Sequence, residues 1–384
     1  MWRHIASNAL TLLAVVIFLL GGVILWGQRE YNAAGPLDEA ICLRVPPGST
    51  MRGVSRDLLA DGAITSAPIF RIAADYTDRD RALKAGSWLI PQRASMSEIT
   101  DIITRGGAST CGTEVVFRIG VASTGVQVRE LDPATSAYVE TADFDLAAAD
   151  IPPSYETVRE KRDTRYRIAV AEGVTSWQIV DALRKLDVLQ GPITDIPPEG
   201  MLAPDSYEVP DGAERVELLA EMKARQEERI AGAWRDRDED LPLETSEDAL
   251  ILASIIEKET GVAAERRQVA SVFVNRLRRG MRLQTDPTVI YGITEGEGVL
   301  GRGLRQSELR RATPWNTYVI EGLPPTPIAN PGRESLKAAV NPDETDYVFF
   351  VADGTGGHAF AETLAEHNRN VARWREIEAE RRSD

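Results

Sequence analysis

Residues 246–261 read "SEDALILASIIEKETG", and this stretch predicts a capped helix with an apolar face. Ser246 is a suitable N-cap, acidic residues follow in the first turn, and Gly261 is suited to end the helix. Apolar residues recur with helical spacing at Leu252, Ile255 and Ile256. The helix therefore has a face that should be buried, and that face runs into a charged end.

Helical geometry separates the two glutamates at this charged end. At about 100° per residue, Glu259 continues the apolar stripe, whereas Glu257 projects about 140° away from it. A carboxyl group beside an apolar face is partly desolvated, which raises its pKa and favours the protonated acid. A neutral carboxylic acid can protonate a departing glycosidic oxygen, so Glu259 is the candidate catalytic acid and Glu257 a structural group. The alternative from geometry alone is that Glu259 pairs with an arginine.

The segment after this helix has an unusual local charge. Residues 264–280 predict a second helix that ends at Gly280, with core spacing at Val269, Val272, Phe273, Arg276 and Leu277. Residues 264–311 contain ten arginines against five acidic residues, although the whole chain has a net charge of −15. This excess indicates either a solvated helix face or a surface that meets an anionic polymer.

Two further stretches supply polar and aromatic side chains. In "MRLQTDPTVIYG" (281–292) the Asp-Pro pair predicts a turn, and "TPWNTYVIEGLPPTPIANPG" (313–332) predicts a proline-rich loop. Aromatic and amide groups often line carbohydrate sites, although each of them is equally typical of packing. The candidates for substrate contact are Gln284, Asp286, Tyr291, Asn316 and Tyr318. Residues 346–360 then predict a β-hairpin, followed by a closing helix.

The N-terminal half begins with a small α+β module. Residues 43–50 and 83–91 predict strands, residues 51–64, 67–76 and 95–107 predict helices, and Ser95 or Ser97 should cap the last of these. Cys42 and Cys111 flank the module, either as a disulfide that clasps its base or as two unrelated buried thiols. A similar order of strand, glycine turn and helix returns in residues 166–189, which suggests an internal repeat.

The connecting segments are less regular. Residues 113–121 predict a strand, whereas the polar, acidic stretch 132–156 predicts an insertion or an extended surface loop. Residues 199–210 predict a structured loop that leads into a long helix from Glu214 to about Trp234.

The N-terminus predicts a membrane anchor. No charged residue occurs between Ile5 and Gln28, and Trp2 and Trp26 bracket this apolar run, which is about as long as the ~20 residues that cross a bilayer. Arg3 places the N-terminus in the cytoplasm by the positive-inside rule. A cleaved signal peptide is the alternative, but the run is long for one and no clean cleavage site follows.

Composition and missing motifs exclude several functions. The charge of −15 argues against a nucleic-acid partner. The chain has three histidines and no HExxH or CxxC pattern, no GxSxG elbow and no phosphate-binding loop. We therefore expect neither a metal nor a cofactor.

The quoted motifs resemble one known family. Residues 252–292, with 313–332 and 348–368, are similar to the endolytic murein transglycosylases, also described as YceG-like. The resemblance is dense over about 246–370 and looser over the N-terminal apolar run, residues 43–107 and residues 199–209. It implies that Glu259, the second glutamate of the EKET motif, is the catalytic acid, and that a LysM-like module precedes the catalytic domain. Residues 112–165 are longer than the connection usual in the family.

The resemblance also implies a reaction. The substrate would be the peptidoglycan glycan strand, cut at the β-1,4 bond between N-acetylmuramic acid and N-acetylglucosamine. Glu259 would protonate the leaving oxygen and then, as a base, accept the proton of the muramyl C6 hydroxyl, which closes a 1,6-anhydro ring. One carboxyl can serve both steps, whereas ordinary hydrolysis typically uses two. The alternatives are a water-using muramidase with Asp286 as second carboxylate, and a non-catalytic wall-binding scaffold.

The sequence as a whole predicts an α+β protein with one transmembrane helix, a LysM-like module and a mixed α+β catalytic domain. It would be a single-pass protein of a bacterial inner membrane with a periplasmic catalytic domain that limits the length of nascent strands. Its expected partners are glycan strands, the membrane and peptidoglycan synthases, and the arginine excess could meet stem-peptide carboxylates. The expected boundaries are a tail at 1–7, the membrane helix at 8–28, a tether at 29–39, the LysM-like module at 40–111, a connector at 112–165, a second small α+β region with the long helix at 166–245, and the catalytic domain at 246–384.

Overall fold

The computed structural model describes residues 2–46, 48–107, 109–148, 151–160 and 164–383. The chain divides into two compact units. The first consists of Met1–Val115, Gln127–Phe144 and Asp150–Arg165, and the second of Val116–Val126, Asp145–Ala149 and Tyr166–Asp384. Both helices and strands occur throughout, so the α+β class is confirmed.

The first unit begins with a long apolar helix. Helix α1 (Trp2–Asn32) contains Thr11–Asn32, which is the one segment among the described residues that is long and apolar enough to cross a membrane. Helix α1 extends to Asn32, so residues 29–32 of the expected tether are helical. The next elements are β1 (Ile41–Val45), α2 (Met51–Ala60), α3 (Ala67–Tyr76), β2 (Gly86–Ile90) and α4 (Met96–Arg105).

A small core holds this module together. Strands β1 and β2 pair antiparallel, with Leu43 opposite Trp88. Their inner faces and the three helices bury one apolar cluster that includes Leu58, Phe70, Ile90 and Ile99. Ser95 caps α4 through a capping box with Glu98. Cys42 and Cys111 form a disulfide.

The middle of the chain forms a five-stranded sheet. In chain order, this part of the protein contains β3 (Thr113–Ile119), β4 (Thr124–Asp132), β5 (Ala137–Asp145), α5 (Pro153–Arg159), β6 (Arg165–Val170), α6 (Ser176–Lys185), β7 (Leu189–Gln190), β8 (Ser206–Val209) and β9 (Ala213–Glu214). The sheet order is β5-β4-β3-β6-β8, while β7 and β9 pair separately. The prediction of a surface loop for residues 132–156 is therefore wrong for the residues of β5. This strand lies at the sheet edge with most side chains exposed, so its polar composition does not distinguish it from a loop.

The two segments proposed as an internal repeat have matching local structure. Gly48 and Gly173 have positive φ values of 81° and 78° in the turn after the strand. Thr50 and Thr175, each two residues later, cap α2 and α6 with their side-chain oxygens. Both segments are thus strand, left-handed glycine turn and threonine-capped helix.

The rest of the second unit is mainly helical. It contains α7 (Arg215–Arg235), α8 (Ser246–Glu259), a short 3-10 turn (Ala263–Glu265), α9 (Arg266–Arg278), α10 (Asp286–Thr294), α11 (Gln306–Leu309), α12 (Arg333–Val340), β10 (Phe349–Ala352), β11 (His358–Ala361) and α13 (Leu364–Ser383). The predicted hairpin is confirmed as β10 and β11, and the predicted closing helix as α13.

Helix α8 lies in the middle of this unit's core. Every residue from Ala249 to Ile256 is buried, and α7, α9 and α12 pack around the helix. Two details of the prediction are wrong. Thr245 rather than Ser246 is the N-cap, since its hydroxyl forms a capping box with Asp248, and the helix ends at Glu259 with an extended Thr260 before Gly261 is reached.

Helix α10 replaces the turn predicted at Asp286. The Asp-Pro pair begins a helix, because proline in the first turn sacrifices no helical hydrogen bond and its φ is already helical.

Candidate active site

Glu259 is the last residue of α8 and its carboxyl group is partly buried. The Thr285 hydroxyl donates a hydrogen bond to Glu259 Oε1. Burial raises the pKa of Glu259, and nearby Asp286 adds to the rise, while the Thr285 hydrogen bond, His358 and Arg276 oppose it. The net direction is upward. The alternative of an arginine ion pair is not seen among the described residues, so Glu259 is a desolvated acid that keeps some access to solvent.

The last three residues of α8, Glu257, Lys258 and Glu259, each contact a different part of the unit. Glu257 accepts a hydrogen bond from the Gly332 N–H at 2.9 Å and lies 4.0 Å from the Arg266 guanidinium. Lys258 donates to the carbonyl of Gly173 at 3.1 Å. Burial lowers the pKa of Lys258. The first glutamate of the pair therefore faces a different part of the unit from Glu259, and the helix end has little freedom to move.

Arg276 of α9 supports the segment that carries Thr285. Its side chain donates from Nε to Val348 O and from Nη1 to Leu283 O, both at 2.7 Å, and it is 8 % exposed. A guanidinium remains protonated in proteins, so the backbone carbonyls that accept its hydrogen bonds stabilise this buried charge. It joins α9 to the start of the hairpin and to Leu283, which lies two residues before Thr285.

The proline-rich loop at 313–332 contacts the segment that carries Thr285. Thr317 accepts a hydrogen bond from the Thr285 N–H at 3.0 Å on its hydroxyl, and from the Gln284 N–H at 3.2 Å on its carbonyl. The Tyr318 hydroxyl donates to Asp286 Oδ1 at 2.7 Å, and burial raises the pKa of Tyr318. Asp286 and Gln284 are exposed. Three of the five predicted contact residues thus lie next to Thr285, the residue that holds Glu259.

His358 also belongs to the surroundings of Glu259. Its Nδ1 lies 2.9 Å from Glu265 Oε2, and its backbone N–H donates to Glu265 Oε1 at 3.0 Å. Phe350 packs edge-on against the ring, with centroids 5.3 Å apart. These contacts fix the orientation of the imidazole at the start of β11.

The other two predicted contact residues are placed differently. Tyr291 donates to Glu199 Oε2 at 3.3 Å and packs edge-on against Trp315 at 5.6 Å. Glu199 is a second buried acid, with its pKa raised by burial, that also accepts a hydrogen bond from the Ser176 N–H at 2.8 Å. Tyr291 thus links α10, through Glu199, to the first residue of α6.

Asn316 is fully buried and shapes the loop. Its amide nitrogen donates to the carbonyls of Glu308, Leu309 and Arg311, and its oxygen accepts from the Tyr318 N–H. With these donors committed to backbone, Asn316 organises residues 308–318 and has no free donor for a ligand. In this structure the side chain of Asn316 serves the loop itself, and its predicted contact with substrate stays a prediction.

Sequence reasoning missed two residues that hold the site. Arg276 sits at a core position of a helical stripe, and a charged residue there is a signal that could have been used. Thr285 gives no such signal, because its contact with Glu259 joins residues 26 positions apart.

Comparison with known proteins gives one family, relatives with a shared name and one solved structure. A family model described as the YceG-like family matches residues 43–373. A relative named endolytic murein transglycosylase from Bacillus subtilis (strain 168) is 26% identical over 355 residues, covering 91% of this chain and 89% of the relative. One of the same name from Streptococcus pneumoniae serotype 2 is 24% identical over 389 residues; the match covers 96% of this chain but 65% of the relative. The crystal structure of a YceG-like protein from Listeria monocytogenes is 26% identical with a TM-score of 0.44, covering 86% of this chain and 99% of that one.

Proposed function

This chain belongs to the YceG-like family, and from that premise we propose that it is a membrane-anchored endolytic murein transglycosylase. Relatives with this name cover most of the chain. The reaction is cleavage of the β-1,4 bond from N-acetylmuramic acid to N-acetylglucosamine, and the product carries a 1,6-anhydromuramyl end.

The observation that carries the proposal is the environment of Glu259. Its carboxyl group has a raised pKa because it is desolvated at the end of a buried helix, and the residue as a whole is only partly buried. A general acid works best when its pKa is close to the working pH, because the protonated form is then available and gives up its proton readily. Thr285, held in turn by Thr317, orients the carboxyl group.

The chemistry needs one carboxyl group and the sugar itself. Glu259 donates its proton to the bridging oxygen as the bond from that oxygen to muramyl C1 breaks. The resulting carboxylate accepts the proton of the C6 hydroxyl, whose oxygen forms the new bond to C1, and Glu259 returns to its starting state. The C6 hydroxyl belongs to the same sugar, so its high effective molarity replaces water. Gln284, Asp286 and Tyr318 are the side chains we assign to substrate contact.

A two-carboxylate hydrolysis remains the second candidate because Asp286 raises the pKa of Glu259 and is exposed. In that mechanism Asp286 would be the nucleophile or would activate water, and the products would have reducing ends. Its hydrogen bond from Tyr318 favours a substrate-binding role instead.

Several parts of the proposal concern the cell. Helix α1 would be the single-pass anchor in a bacterial inner membrane, with its N-terminus in the cytoplasm and the catalytic domain in the periplasm. Residues 40–111 would be a LysM-like module for the wall polymer, in keeping with their small α+β core. The enzyme would limit the length of nascent strands beside the synthases that make them. The other predicted boundaries, including the catalytic domain at 246–384, stay predictions.

Mass spectrometry of glycan strands tests the proposal. We expect the full chain in detergent to yield fragments with anhydromuramyl ends, one water lighter than hydrolysis products. Glu259→Gln should abolish them, whereas Glu247→Gln, an exposed glutamate in the first turn of the same helix, should not. Reducing ends would favour the two-carboxylate mechanism, and unchanged wall processing in a Glu259→Gln strain would favour a scaffold.

A further inference from the structure

Residues 301–311 form an exposed segment whose charge is uneven. They contain four arginines and one acidic residue, Glu308. Arg302 is committed to Glu308 through two hydrogen bonds, at 2.9 and 2.6 Å. This pairing lowers the pKa of Glu308 to about 2, so the carboxylate stays charged and offsets Arg302. We call the other three arginines, Arg305, Arg310 and Arg311, the arginine platform.

The platform arginines are exposed to solvent, although the charge of Arg305 also acts on Glu308. All three are exposed, and none has an ion pair within the part of the chain that the structure describes. They lie within seven residues of one another, and no acidic residue follows before Glu321. Carboxylates are the chemical groups that such guanidinium groups bind best in two-point contacts.

The backbone beneath the platform is held firmly. Glu308 accepts a hydrogen bond from the Arg305 N–H at 2.7 Å, and the fully buried Asn316 amide binds three carbonyls of residues 308–311. A loop fixed in this way presents its side chains without a large loss of backbone entropy on binding. A loop whose arginines only contacted solvent would not need a fully buried amide to hold its backbone.

The same hydrogen bonds connect the platform to the active site. Asn316 is followed directly by Thr317, which accepts from the Thr285 N–H, and then by Tyr318, which donates to Asp286. Thr285 in turn binds Glu259. The platform thus lies on the same hydrogen-bonded loop as Thr317 and Tyr318, which contact the residues beside Glu259.

Resting on the proposed function, we infer that the arginine platform binds the free carboxylates of the stem peptides carried by the glycan strand. A muramyl residue in the site, or the next one along, carries such a peptide. The sugar backbone between them has no charge to attract a guanidinium group. The platform therefore selects strands that still bear peptides with free carboxylates.

The test compares three strand preparations: native, peptide-free, and native with the peptide carboxylates converted to amides. The amidated strands keep the size of the peptide and lose its charge, whereas peptide-free strands keep only the lactyl carboxylate. The variant is the full chain with Arg305→Gln, Arg310→Gln and Arg311→Gln. Its control removes the same charge from exposed positions of α13 by Arg369→Gln, Arg373→Gln and Arg375→Gln.

We expect wild-type and control proteins to prefer native over amidated strands by about tenfold in kcat/KM at low salt, from three exposed ion pairs. The platform variant should lose this preference through KM, with kcat on amidated strands unchanged and an unchanged melting temperature. The triple lysine variant, which keeps the charge, should retain part of the preference.

Equal losses on native and amidated strands, or the same loss in the control, would overturn the inference. Co-sedimentation of the Glu259→Gln protein with native and amidated wall fragments tests it without any cleavage. If wild-type protein cuts no strand but its binding still depends on the platform and the carboxylates, the inference holds and the proposed reaction fails. Binding that ignores amidation would reject the inference even if cleavage is observed.

Discussion

Replacing Thr285 by valine should move the pH dependence of cleavage in a defined direction. The Thr285 hydroxyl donates to Glu259, and this hydrogen bond lowers a pKa that burial raises. Without the donor the ionised form of Glu259 is less favoured, so its pKa should rise further. Valine has a similar shape and suits the extended backbone at this position, where φ is −119° and ψ is 128°.

The size of the shift follows from the strength of the lost contact. A hydrogen bond to an ionised group contributes about 1.5 kcal/mol or more. One pKa unit corresponds to about 1.4 kcal/mol. The pH at which activity falls on the alkaline side should therefore rise by about one unit.

The assay is the formation of cleaved strand ends as kcat/KM across pH, for wild type, Thr285→Val and Thr288→Val. Thr288 is a buried threonine of the same helix start that binds Thr285 O and Thr317 and makes no contact with Glu259. Its variant should lower stability without moving the alkaline midpoint. An unchanged or lowered midpoint in Thr285→Val would refute the role given to this hydrogen bond.

Three further predictions concern stability. Glu259→Gln should melt at a higher temperature than wild type at pH 7, and this difference should shrink as the pH falls towards 4.5. A carboxyl group whose pKa is raised in the folded state lowers stability when the pH is above the pKa it has in the unfolded chain. The control Glu247→Gln should show no such trend. Arg276→Met should lower the free energy of unfolding in urea by about 3 kcal/mol, since it strands buried carbonyls, whereas exposed Arg278→Met should change it by less than about 0.5 kcal/mol. Replacing Cys42 and Cys111 together by serine should destabilise the first unit by about 4 kcal/mol, from the 69-residue separation, and calorimetry that finds no loss would contradict this.

Local signals predicted most of the elements near the site. The helical stripe of α8 separates Glu259 from Glu257 without any knowledge of tertiary structure, and the structure has the two side chains in different surroundings. The hairpin, the helix from Arg215 and the Ser95 cap also follow from short-range patterns. These features depend on residues within a few positions of one another.

The errors have physical causes that a single sequence does not reveal. The sequence of β5 resembles that of a loop, because a mostly exposed edge strand does not need to alternate apolar and polar residues. The Asp-Pro pair suits a turn and a helix start equally, and only the neighbouring helices decide between them. The amide chemistry of Asn316 does not reveal that its side chain holds the loop, because its partners are set by the folded loop. The contacts of Thr285, Arg276 and His358 all join distant segments.

The central claim is that burial raises the pKa of Glu259 above that of an ordinary carboxyl group, and its titration tests this directly. Carbon-13 NMR of glutamate δ-carboxyl groups in the full chain, with the Glu259 signal assigned by its loss in Glu259→Gln, gives the midpoint. We predict a midpoint clearly above the ordinary value of 4.5. A midpoint at or below 4.5 would contradict the claim and leave the site without its proton donor.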